Sequence, residues 1–414
     1  MTRMKDSGIE WIGEVPEDWG ITKLKYICRM QSGNNLTSLE ISSENDGGKI
    51  FPVYGGNGQR GYYSDFTNEG NYCLVGRQGA LAGNVHFVSG KFWATDHAIV
   101  VYEHTHTYSK YLCYLLKAMN LNQYAFETSA QPGLSVEKIL QLEMIHCPKG
   151  EQTQIADFLD KKVAQLDEVK SLLEEQIKTL EDYRKSLIYE TVTKGLDKTV
   201  PLKDSGVDWI GQIPEGWGVG KLKYYFDVQL GKMLQPSAIN GNDIEIDYLR
   251  AINVQWDNIL VDNLSKMWCN PSEVSKYEIM NGDLLVCEGG EVGRCGIVEY
   301  LSDRAIIQNA VHRIRSAERA NVRFLNYYIQ HTTKSKWFDI LCNKATIAHL
   351  TSEKLLNTLV VLPSISEQIQ IADFLDKKTE QINQMIAIKK EQIENINKQR
   401  QTLIYDVVTG KRRI

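Results

Sequence analysis

The 414-residue chain contains two copies of one sequence unit. Residues 5–26 and 203–224 are identical at 15 of 22 positions, and because both include the letters WIG we call them the WIG segments. Residues 151–162 and 367–378 are identical at 11 of 12 positions. Since self-similarity over a long period marks a repeated structural unit, we expect a fold with an internal pseudo-two-fold repeat.

The stretches between these shared ends differ from each other. Residues 29–133 and 225–349 show no clear residue-by-residue correspondence. Neutral divergence after a duplication is one explanation, although it does not by itself account for flanks that stayed nearly unchanged. The other explanation is a duplicated scaffold that carries two inserts with different tasks.

Each copy ends in a long stretch with helical periodicity. Neither residues 152–194 nor residues 367–409 contain Gly or Pro, and apolar residues recur there at spacings near three, four and seven. We therefore predict two amphipathic helices of about 35 to 40 residues, longer than an average globular helix. The residues predicted to pair these helices are Leu159, Leu166, Val169, Leu173, Ile177, Leu180 and Leu187 in the first helix, and Leu375, Ile382, Ile386, Ile393, Ile396 and Leu403 in the second.

A long helix with one narrow apolar stripe needs a partner helix, and the other copy provides one. Residues 151–197 carry 7 basic and 11 acidic residues, a net charge of −4, whereas residues 367–414 carry 9 and 7, a net charge of +2. Opposite charges favour pairing, and an insert at each end of the pair requires the helices to run antiparallel. The predicted boundaries are 1–150 for the first insert domain, 151–197 for the first helix, 198–366 for the second insert domain and 367–414 for the second helix.

We predict that each insert folds into an α/β domain in which helices and strands are mixed (α+β). β-branched and aromatic runs at residues 50–54 and 98–102 are bounded by Gly turns and predict strands. Helical spacing at residues 108–119 predicts a short helix. Ser135 and Thr351 are candidate N-caps of further short helices, because their hydroxyl oxygens can accept from the first free backbone N–H groups.

Composition excludes several classes of protein. A hydrophobic fraction of 43% and a charged fraction of 24% are typical of folded globular proteins. No apolar run approaches the roughly 18 to 20 residues of a membrane span, and no secretory signal is visible. The eight Cys contain no C-x-x-C pair, which indicates reduced thiols without a metal site. We therefore expect a cytoplasmic protein.

The net charge of −5, taken alone, argues against binding to nucleic acid. The excess of acidic over basic residues is uneven along the chain, however. Residues 29–150 carry 9 basic and 10 acidic residues, and residues 225–366 carry 14 basic and 16 acidic residues. Most of the net negative charge therefore lies on the first predicted helix. Nearly neutral inserts leave DNA binding open for a protein that relies on partners for much of its affinity.

Motifs for catalysis are missing. The glycine-rich run at residues 56–61 fits G-x-G-x-x-G, but residues 62–67 do not begin a helix that could hold a pyrophosphate. The chain contains no G-x-x-x-x-G-K-[ST], and it lacks the N-P-P-[FY], D-P-P-Y and F-x-G-x-G motifs of adenine methyltransferases. The sequence therefore predicts no catalytic residue and no cofactor bound by this chain.

The inserts do contain side chains suited to reading DNA bases. Arg pairs with guanine, and Asn or Gln with adenine, in the major groove. Each such residue taken alone is more often an ordinary surface residue. The candidates are Asn57, Gln59, Arg60, Arg77, Gln78 and Asn84 with Tyr62 beside them in the first insert, and Arg250, Asn253, Gln255, Arg294, Gln308, Asn309 and Arg313 in the second.

The repeated W-I-G-x-[VI]-P-E-x-W-G, the repeated E-Q-x-Q-I-A-D-F-L-D-K-K and the two dissimilar inserts resemble the specificity subunit of a type I restriction-modification enzyme over nearly the whole chain. This resemblance implies that each insert is a target recognition domain for one half of a bipartite, asymmetric DNA site, with the helices as spacer. Residues 52–63, 74–85 and 282–294 resemble recurrent target-recognition segments.

The same resemblance implies partners besides double-stranded DNA. Two methyltransferase subunits, expected to bind S-adenosylmethionine, would dock on the spacer and the recognition domains, and restriction (translocase-nuclease) subunits would complete the complex. This chain would then be a non-catalytic recognition subunit. The alternative is a coiled-coil scaffold whose end domains bind proteins, and it differs in predicting no sequence-dependent DNA footprint.

Overall fold

The structure, a computed structural model, describes residues 3–79, 81–128, 131–317, 320–334, 337–338 and 349–414. The chain folds into two compact units. Unit 1 contains Met1–Glu174 and Lys390–Ile414, and unit 2 contains Glu175–Lys389. Each unit therefore combines one insert with segments of both long helices, whereas the boundaries predicted from sequence follow the order of the chain.

The first copy contains twelve described strands and three α-helices. The strands are β1 (Met4–Asp6), β2 (Glu14–Pro16), β3 (Gly20–Lys23), β4 (Cys28–Ser32), β5 (Phe51–Gly55), β6 (Gly58–Tyr63), β7 (Asn68–Gly76), β8 (Val85–Ala94), β9 (Ala98–Glu103), β10 (Phe126–Thr128), β11 (Gln131–Gly133) and β12 (Glu143–His146). The helices are α1 (Ser109–Ala118), α2 (Val136–Leu140) and α3 (Lys149–Lys194).

The second copy repeats this plan with a more divided insert. Its described strands are β13 (Leu202–Asp204), β14 (Gln212–Pro214), β15 (Gly218–Lys221), β16 (Phe226–Leu230), β17 (Ile244–Leu249), β18 (Val254–Gln255), β19 (Asn258–Ile259), β20 (Ser265–Cys269), β21 (Leu284–Cys287), β22 (Cys295–Ile297), β23 (Ala305–Ile307), β24 (Val311–Ser316) and β25 (Leu359–Leu362). Its described helices are α4 (Pro271–Tyr277), α5 (Val322–Lys334), α6 (Ser352–Asn357) and α7 (Ile365–Val408).

The two inserts share a strand topology although their sequences do not align. The sheet of unit 1 has the order β4-β9-β7-β8-β5-β6, and β5 pairs with β8 in parallel. In unit 2, β16-β24-β21-β22 form one sheet and β20-β17-β23 another, with β17 and β23 parallel. Strand β8 lies between β7 and β5, as β22 lies beside β21 and β23 lies beside β17. The long strand β8 thus corresponds to β22 and β23 together, and residues 298–304 separate these two strands. The duplication therefore includes the inserts.

A pair of glycines marks this equivalence. Gly33 and Gly231 follow the first strand of each insert at an offset of 198 positions. A Cβ atom at Gly33 would overlap the Ala94 carbonyl oxygen, and one at Gly231 would overlap the Gln308 carbonyl oxygen. Only glycine allows the backbone to approach so closely at both places.

Helices α1 and α5 occupy equivalent positions too. The Tyr114 hydroxyl donates to Asp160 at 2.8 Å, and the Tyr327 hydroxyl donates to Asp376 at 2.8 Å. The two tyrosines are 213 positions apart in the sequence. Burial, more than any other cause, raises the pKa of both tyrosines, so each stays protonated and able to donate.

The predicted N-caps are confirmed. The Ser135 side chain accepts from the Lys138 backbone N–H and precedes α2. The Thr351 side chain accepts from the Lys354 backbone N–H and precedes α6.

The prediction of two long helices is also confirmed. Helix α3 spans 46 residues and α7 spans 44. Their repeated starts have the same internal anchor, a buried glutamine. Gln152 accepts from the Tyr108 backbone N–H at 2.8 Å, and Gln368 accepts from the Asn321 backbone N–H at 2.7 Å. A buried amide needs such partners, which explains why the E-Q-x-Q start occurs in both copies.

Segments of the two helices run antiparallel within each unit. In unit 1, Arg400 Nε lies 3.7 Å from Asp167 Oδ1, while Leu159 shares a core with Val407. In unit 2, Lys389 Nζ donates to Gln176 Oε1 at 2.6 Å, while Ile188 shares a core with Ile371 and Leu375 in another part of the same pair. Ascending numbers on α3 therefore meet descending numbers on α7 in both units.

Burial of the predicted pairing residues is uneven. Leu159, Leu375 and Ile382 are buried, whereas Val169 is 47% exposed. A contact between only two helices covers a narrow seam, so a residue beside that seam remains in water. The half-buried members are Leu166, Leu173, Ile177, Leu180, Leu187, Ile386, Ile393, Ile396 and Leu403.

The WIG segments explain why burial is greatest near the ends of the helices. Trp19 is 1% exposed and belongs to the same core as Val407 and Val408 of α7. Trp217 is 4% exposed and belongs to the same core as Val192 of α3. Each WIG segment therefore packs against the final turns of the other copy's helix.

Each of these tryptophans also contacts the start of its own copy's helix. Trp19 Nε1 donates to Glu151 at 3.1 Å, and Trp217 Nε1 donates to Glu367 at 3.0 Å. A WIG segment thus joins the beginning of one long helix to the end of the other, which is why both the segment and the helix start are repeated.

Within the described ranges, none of the helices combines the length and the apolar character that a membrane span requires. The seven cysteines in these ranges are buried and form no disulfide. The same residues contain no group of three or more His, Cys, Asp or Glu side chains arranged to hold a metal ion.

Candidate nucleic-acid interface

Three turns of the six-stranded sheet meet at one end of unit 1. They are the β5–β6 turn with Gly56 and Asn57, the β7–β8 loop and the β8–β9 turn. A Cβ atom at Gly56 would lie 3.2 Å from the His97 carbonyl oxygen and 3.5 Å from that of Gln78, and one at Gly76 would overlap the Gly56 carbonyl oxygen. Glycine at positions 56 and 76 therefore lets the turns pack backbone against backbone.

Four of the predicted DNA-binding residues lie in these turns. Asn57 is exposed, and the Asn84 amide donates to its side-chain oxygen at 3.2 Å. Gln78 is exposed, while Arg77 is half-buried with Nη1 3.5 Å from the Asp96 carbonyl oxygen. The tertiary structure thus brings together residues that lie up to 27 positions apart in the sequence.

The other three candidates of unit 1 lie on β6, the edge strand. Gln59 and Arg60 are exposed, and the register between β5 and β6 shifts at this point, which leaves Arg60 as the extra residue of a β-bulge. A bulge changes the direction of the side chain that it carries. Tyr62 is half-buried, and its backbone N–H and C=O pair with those of Ser42.

Corresponding turns meet in unit 2. The Gln308 N–H donates to the Leu249 carbonyl oxygen at 3.0 Å, and the Glu288 N–H donates to the Ala310 carbonyl oxygen at 3.0 Å. The ends of β17, β21 and β23 therefore lie next to one another. Arg250 is exposed in this group of turns, and Gln308 and Asn309 are half-buried there.

One loop is built alike in both units. In unit 1 the Gly76 N–H donates to the Asn84 carbonyl oxygen at 2.8 Å, and in unit 2 the Cys287 N–H donates to the Arg294 carbonyl oxygen at 2.8 Å. The same scaffold loop therefore carries an amide in one unit and a guanidinium in the other.

Several candidates of unit 2 are held by their own domain. Asn253 accepts from the Arg250 backbone N–H at 2.9 Å and donates to the Leu260 carbonyl oxygen at 3.1 Å. Gln255 donates to the Ile252 carbonyl oxygen at 2.8 Å. These amides stabilise the segment after β17, so part of their hydrogen-bonding capacity is already used.

Arg294 has a mixed position. Its side chain is 19% exposed, Nη2 donates to the Ala251 carbonyl oxygen at 2.8 Å, and Nη1 lies 3.3 Å from Glu291. These two partners hold the guanidinium in one orientation and use part of its hydrogen-bonding capacity.

Arg313 lies inside its domain. It is 5% exposed, and Nη1 donates to the carbonyl oxygens of Lys276 at 3.1 Å and Glu278 at 2.5 Å. Burial lowers the pKa of Arg313, and Arg315 nearby pairs with buried Asp283 at 2.5 Å. Both arginines join β24 to the segment after α4, so Arg313 has a structural role and does not face the candidate interface.

The profile of the type I restriction modification DNA specificity domain matches this chain twice, at residues 16–180 and 214–396. The matches cover most of the chain and fall one on each copy of the repeat. The two-fold occurrence agrees with the equivalent strand topologies of the two inserts.

Curated relatives carry the same description. The type I restriction enzyme MjaVIII specificity subunit of Methanocaldococcus jannaschii is 26% identical over 424 residues, covering 97% of this chain and 94% of that protein. The type I restriction enzyme EcoprrI specificity subunit of Escherichia coli is 41% identical over 138 residues, so the match spans only 34% of that relative's length and 33% of this chain.

Solved structures show the fold. A chain from a structure on complex assembly and conformational transition of the type I R-M system is 14% identical and aligns with a TM-score of 0.69 over 96% of this chain and 99% of its own length. The HsdS subunit from Thermoanaerobacter tengcongensis is 15% identical, with a TM-score of 0.50 over 96% and 98%. The predicted fold class is confirmed, and the chain belongs to the family of type I restriction-modification DNA specificity subunits.

Proposed function

We propose that this chain gives a type I restriction-modification complex its DNA sequence specificity, with each unit reading one half of a bipartite, asymmetric site. The observation that carries this proposal is the pair of equivalent loops with unlike side chains, Asn84 in unit 1 and Arg294 in unit 2. Asn is suited to adenine and Arg to guanine in the major groove. Two unlike readers on one duplicated scaffold suit two unlike half-sites.

The chain acts as a non-catalytic subunit in this proposal. Methyl transfer belongs to two methyltransferase subunits that bind S-adenosylmethionine, and cleavage belongs to restriction subunits. Support comes from an exposed feature that both copies share. Tyr26 is 68% exposed and Tyr224 is 62% exposed, with Lys25 Nζ 5.1 Å and Lys223 Nζ 5.4 Å from the respective ring centroids. Exposed aromatic residues favour protein interfaces, and the same exposed Lys–Tyr pair in both copies suits two copies of one partner.

Sequencing of adenine methylation in cells with and without the gene tests this function. We expect a bipartite motif to be methylated only when the gene is present, because no other subunit of the complex would read that motif. Reintroducing the gene should restore the same motif. An identical methylation pattern in both strains would contradict the proposal and favour a protein-binding scaffold.

We also propose that α3 and α7 set the number of unspecified base pairs between the half-sites. The antiparallel contacts support this, because Gln176 lies opposite Lys389 and Asp167 lies opposite Arg400. A residue added to one helix therefore needs a counterpart in the other to keep the seam in register.

Inserting four residues after Leu180 together with four after Gln384 should lengthen both helices by about one turn, ~6 Å. We expect the methylated site to keep both half-sites and to gain about two unspecified base pairs at 3.4 Å each. Sequencing of methylated sites measures the gap. The same insertion in the exposed segment at residues 43–48 is the control and should leave the gap unchanged. An unchanged gap in the helix variant would argue against the spacer role.

A further inference from the structure

Unit 1 contains a cavity of about 760 Å³ that no sequence motif predicted. It lies between the β7–β8 loop, the C-terminal end of α1 and one face of α7. Four asparagines, a glutamine, a histidine, a lysine and an arginine contribute to its lining, and none of the described residues that line it is acidic. The cavity is therefore polar and positively charged.

Lys117 and Arg400 supply the positive charge. Lys117 Nζ lies 5.4 Å from the Tyr114 ring centroid. Arg400 Nε lies 3.7 Å from Asp167, whose side chain is 48% exposed. An ion pair with so exposed a carboxylate contributes little to stability, because water screens the charges. Both cations consequently remain available to an anion in the cavity.

His86 adds an unsatisfied polar atom. Its Nε2 atom is buried and has no hydrogen-bond partner among the described residues. Burial, and secondarily the charge of Lys117, lowers the pKa of His86, so the ring is neutral near pH 7. A buried ring nitrogen without a partner is costly unless a ligand or water satisfies it.

Unit 2 shows how the equivalent position is neutralised there. Arg184 on α3 corresponds to Arg400 on α7 at an offset of 216 positions. Arg184 pairs with Asp257, and the other carboxylate oxygen of Asp257 accepts from Gln330. The offset of 213 positions between α1 and α5 makes Gln330 the counterpart of Lys117.

The backbone of Asp257, which carries this carboxylate, has a strained conformation. Asp257 has a φ of +60° in the turn between β18 and β19. A residue other than glycine adopts this left-handed conformation only at a cost in free energy. In unit 2 the anion between Arg184 and Gln330 is therefore a side chain of the unit itself. In unit 1 the equivalent positions carry Arg400 and Lys117, and none of the described residues that line the cavity is acidic.

We infer that the cavity of unit 1 binds a backbone phosphate of the DNA, with Lys117 and Arg400 as its cationic ligands. This inference rests on the proposed function and adds a contact to it. The phosphate takes the part that the Asp257 carboxylate plays in unit 2. Asparagine amides in the lining can donate to the remaining phosphate oxygens.

The position of the cavity favours a DNA phosphate over a carboxylate of a partner protein. Asn84 lines the cavity and also donates to Asn57 in the candidate base-reading turn. A Cβ atom at Gly58, the next residue of that turn, would lie 3.5 Å from the His86 ring. A phosphate held here would fix the register of the turn on the duplex, because phosphate contacts position a protein while neighbouring base contacts read the sequence.

The salt dependence of DNA binding tests this inference. The probe is a duplex that contains the methylated motif, bound by the full chain with its methyltransferase partners. The slope of log K against log salt is negative, and removal of one phosphate contact makes it shallower by about 0.9. We expect that reduction for the double variant Lys117→Gln/Arg400→Gln. The wild type should then lose about 3.5-fold more affinity than the variant between 50 and 200 mM salt.

Lys398→Gln is the matched control. Lys398 lies on α7 two residues from Arg400, about 200° around the helix, and lines a different cavity with Phe158. The control removes one positive charge from the helix that carries Arg400, so it is compared with the single variant Arg400→Gln, which removes the same charge from the same helix. We expect the control to leave the salt slope unchanged.

A second measurement removes the charge from the DNA instead of from the protein. Duplexes with single neutral methylphosphonate linkages should weaken wild-type binding at one position beside the half-site that unit 1 reads. The double variant should lose no further affinity at that position, because the contact is already absent. Such coupling would assign the phosphate to this cavity.

Three outcomes would overturn the inference. An unchanged slope in the double variant, with half-site preferences intact, would reject the phosphate site and leave the proposed function standing. An unchanged slope with loss of the methyltransferase subunits on purification would assign the cavity to a protein carboxylate. Failure of the wild-type complex to bind the duplex would refute the proposed function and this inference with it.

Discussion

Exchange of residues 28–133 for the insert of another specificity subunit is expected to replace one half of the methylated site and to leave the other half unchanged. The exchanged piece contains β4 together with its partner β9 and the three turns that meet at Asn57 and Asn84. Each altered base pair costs about 1–3 kcal/mol. A change at three base pairs therefore shifts the preference at least about a hundredfold.

Methylation sequencing of the exchanged strain measures this result. Exchange of residues 226–349 is the reciprocal control and should change the other half-site only. The two inserts contribute to separate hydrophobic cores, which supports independent exchange. Loss of both half-site preferences after a single exchange, with the protein folded, would contradict modular recognition.

Trp19→Ala and Trp217→Ala should each lower the free energy of unfolding by about 3–5 kcal/mol. Both rings are almost fully buried, and each joins a WIG segment to the end of the other copy's helix. Removing the ring opens a cavity at the place where three parts of the chain meet. Denaturant unfolding followed by tryptophan fluorescence and circular dichroism measures the change.

Trp19→Phe and Trp217→Phe are the matched controls. They keep most of the apolar area and lose the hydrogen bonds to Glu151 and Glu367. We expect them to lower the free energy of unfolding by about 1.5 to 3 kcal/mol, the value of a hydrogen bond to a charged group. An alanine variant no less stable than its phenylalanine counterpart would show that these rings do not hold the helix ends.

The interface candidates show how far residue type predicts a site. Asn57 and Gln78 are exposed on converging turns, as a reader of bases needs to be. Asn253 has the same chemistry, but it stabilises its own loop, and Arg313 is buried beneath its strand. Residue type alone does not separate these cases, because the hydrogen-bond partners of a side chain come from residues distant in the sequence.

The cavity of unit 1 marks the limit of sequence reasoning more sharply. Lys117 and Arg400 lie 283 positions apart, and neither belongs to a motif. An internal signal does exist, because Arg400 repeats as Arg184 at the helix offset. Its meaning depends on Asp257, which lies in the insert where the two copies cannot be aligned by sequence. Only the folded chain shows that Arg184 pairs with a carboxylate of the insert, whereas Arg400 pairs with Asp167 of the other long helix.

The duplication, the two long helices and the family follow from the sequence alone, because repeated motifs and apolar periodicity are local properties of the chain. The shared topology of the inserts, the contact of each WIG segment with the other copy's helix end and the charge state of the unit 1 cavity follow only from the tertiary structure. These features depend on strand pairing and burial between distant residues, which unlike sequences can satisfy in the same way.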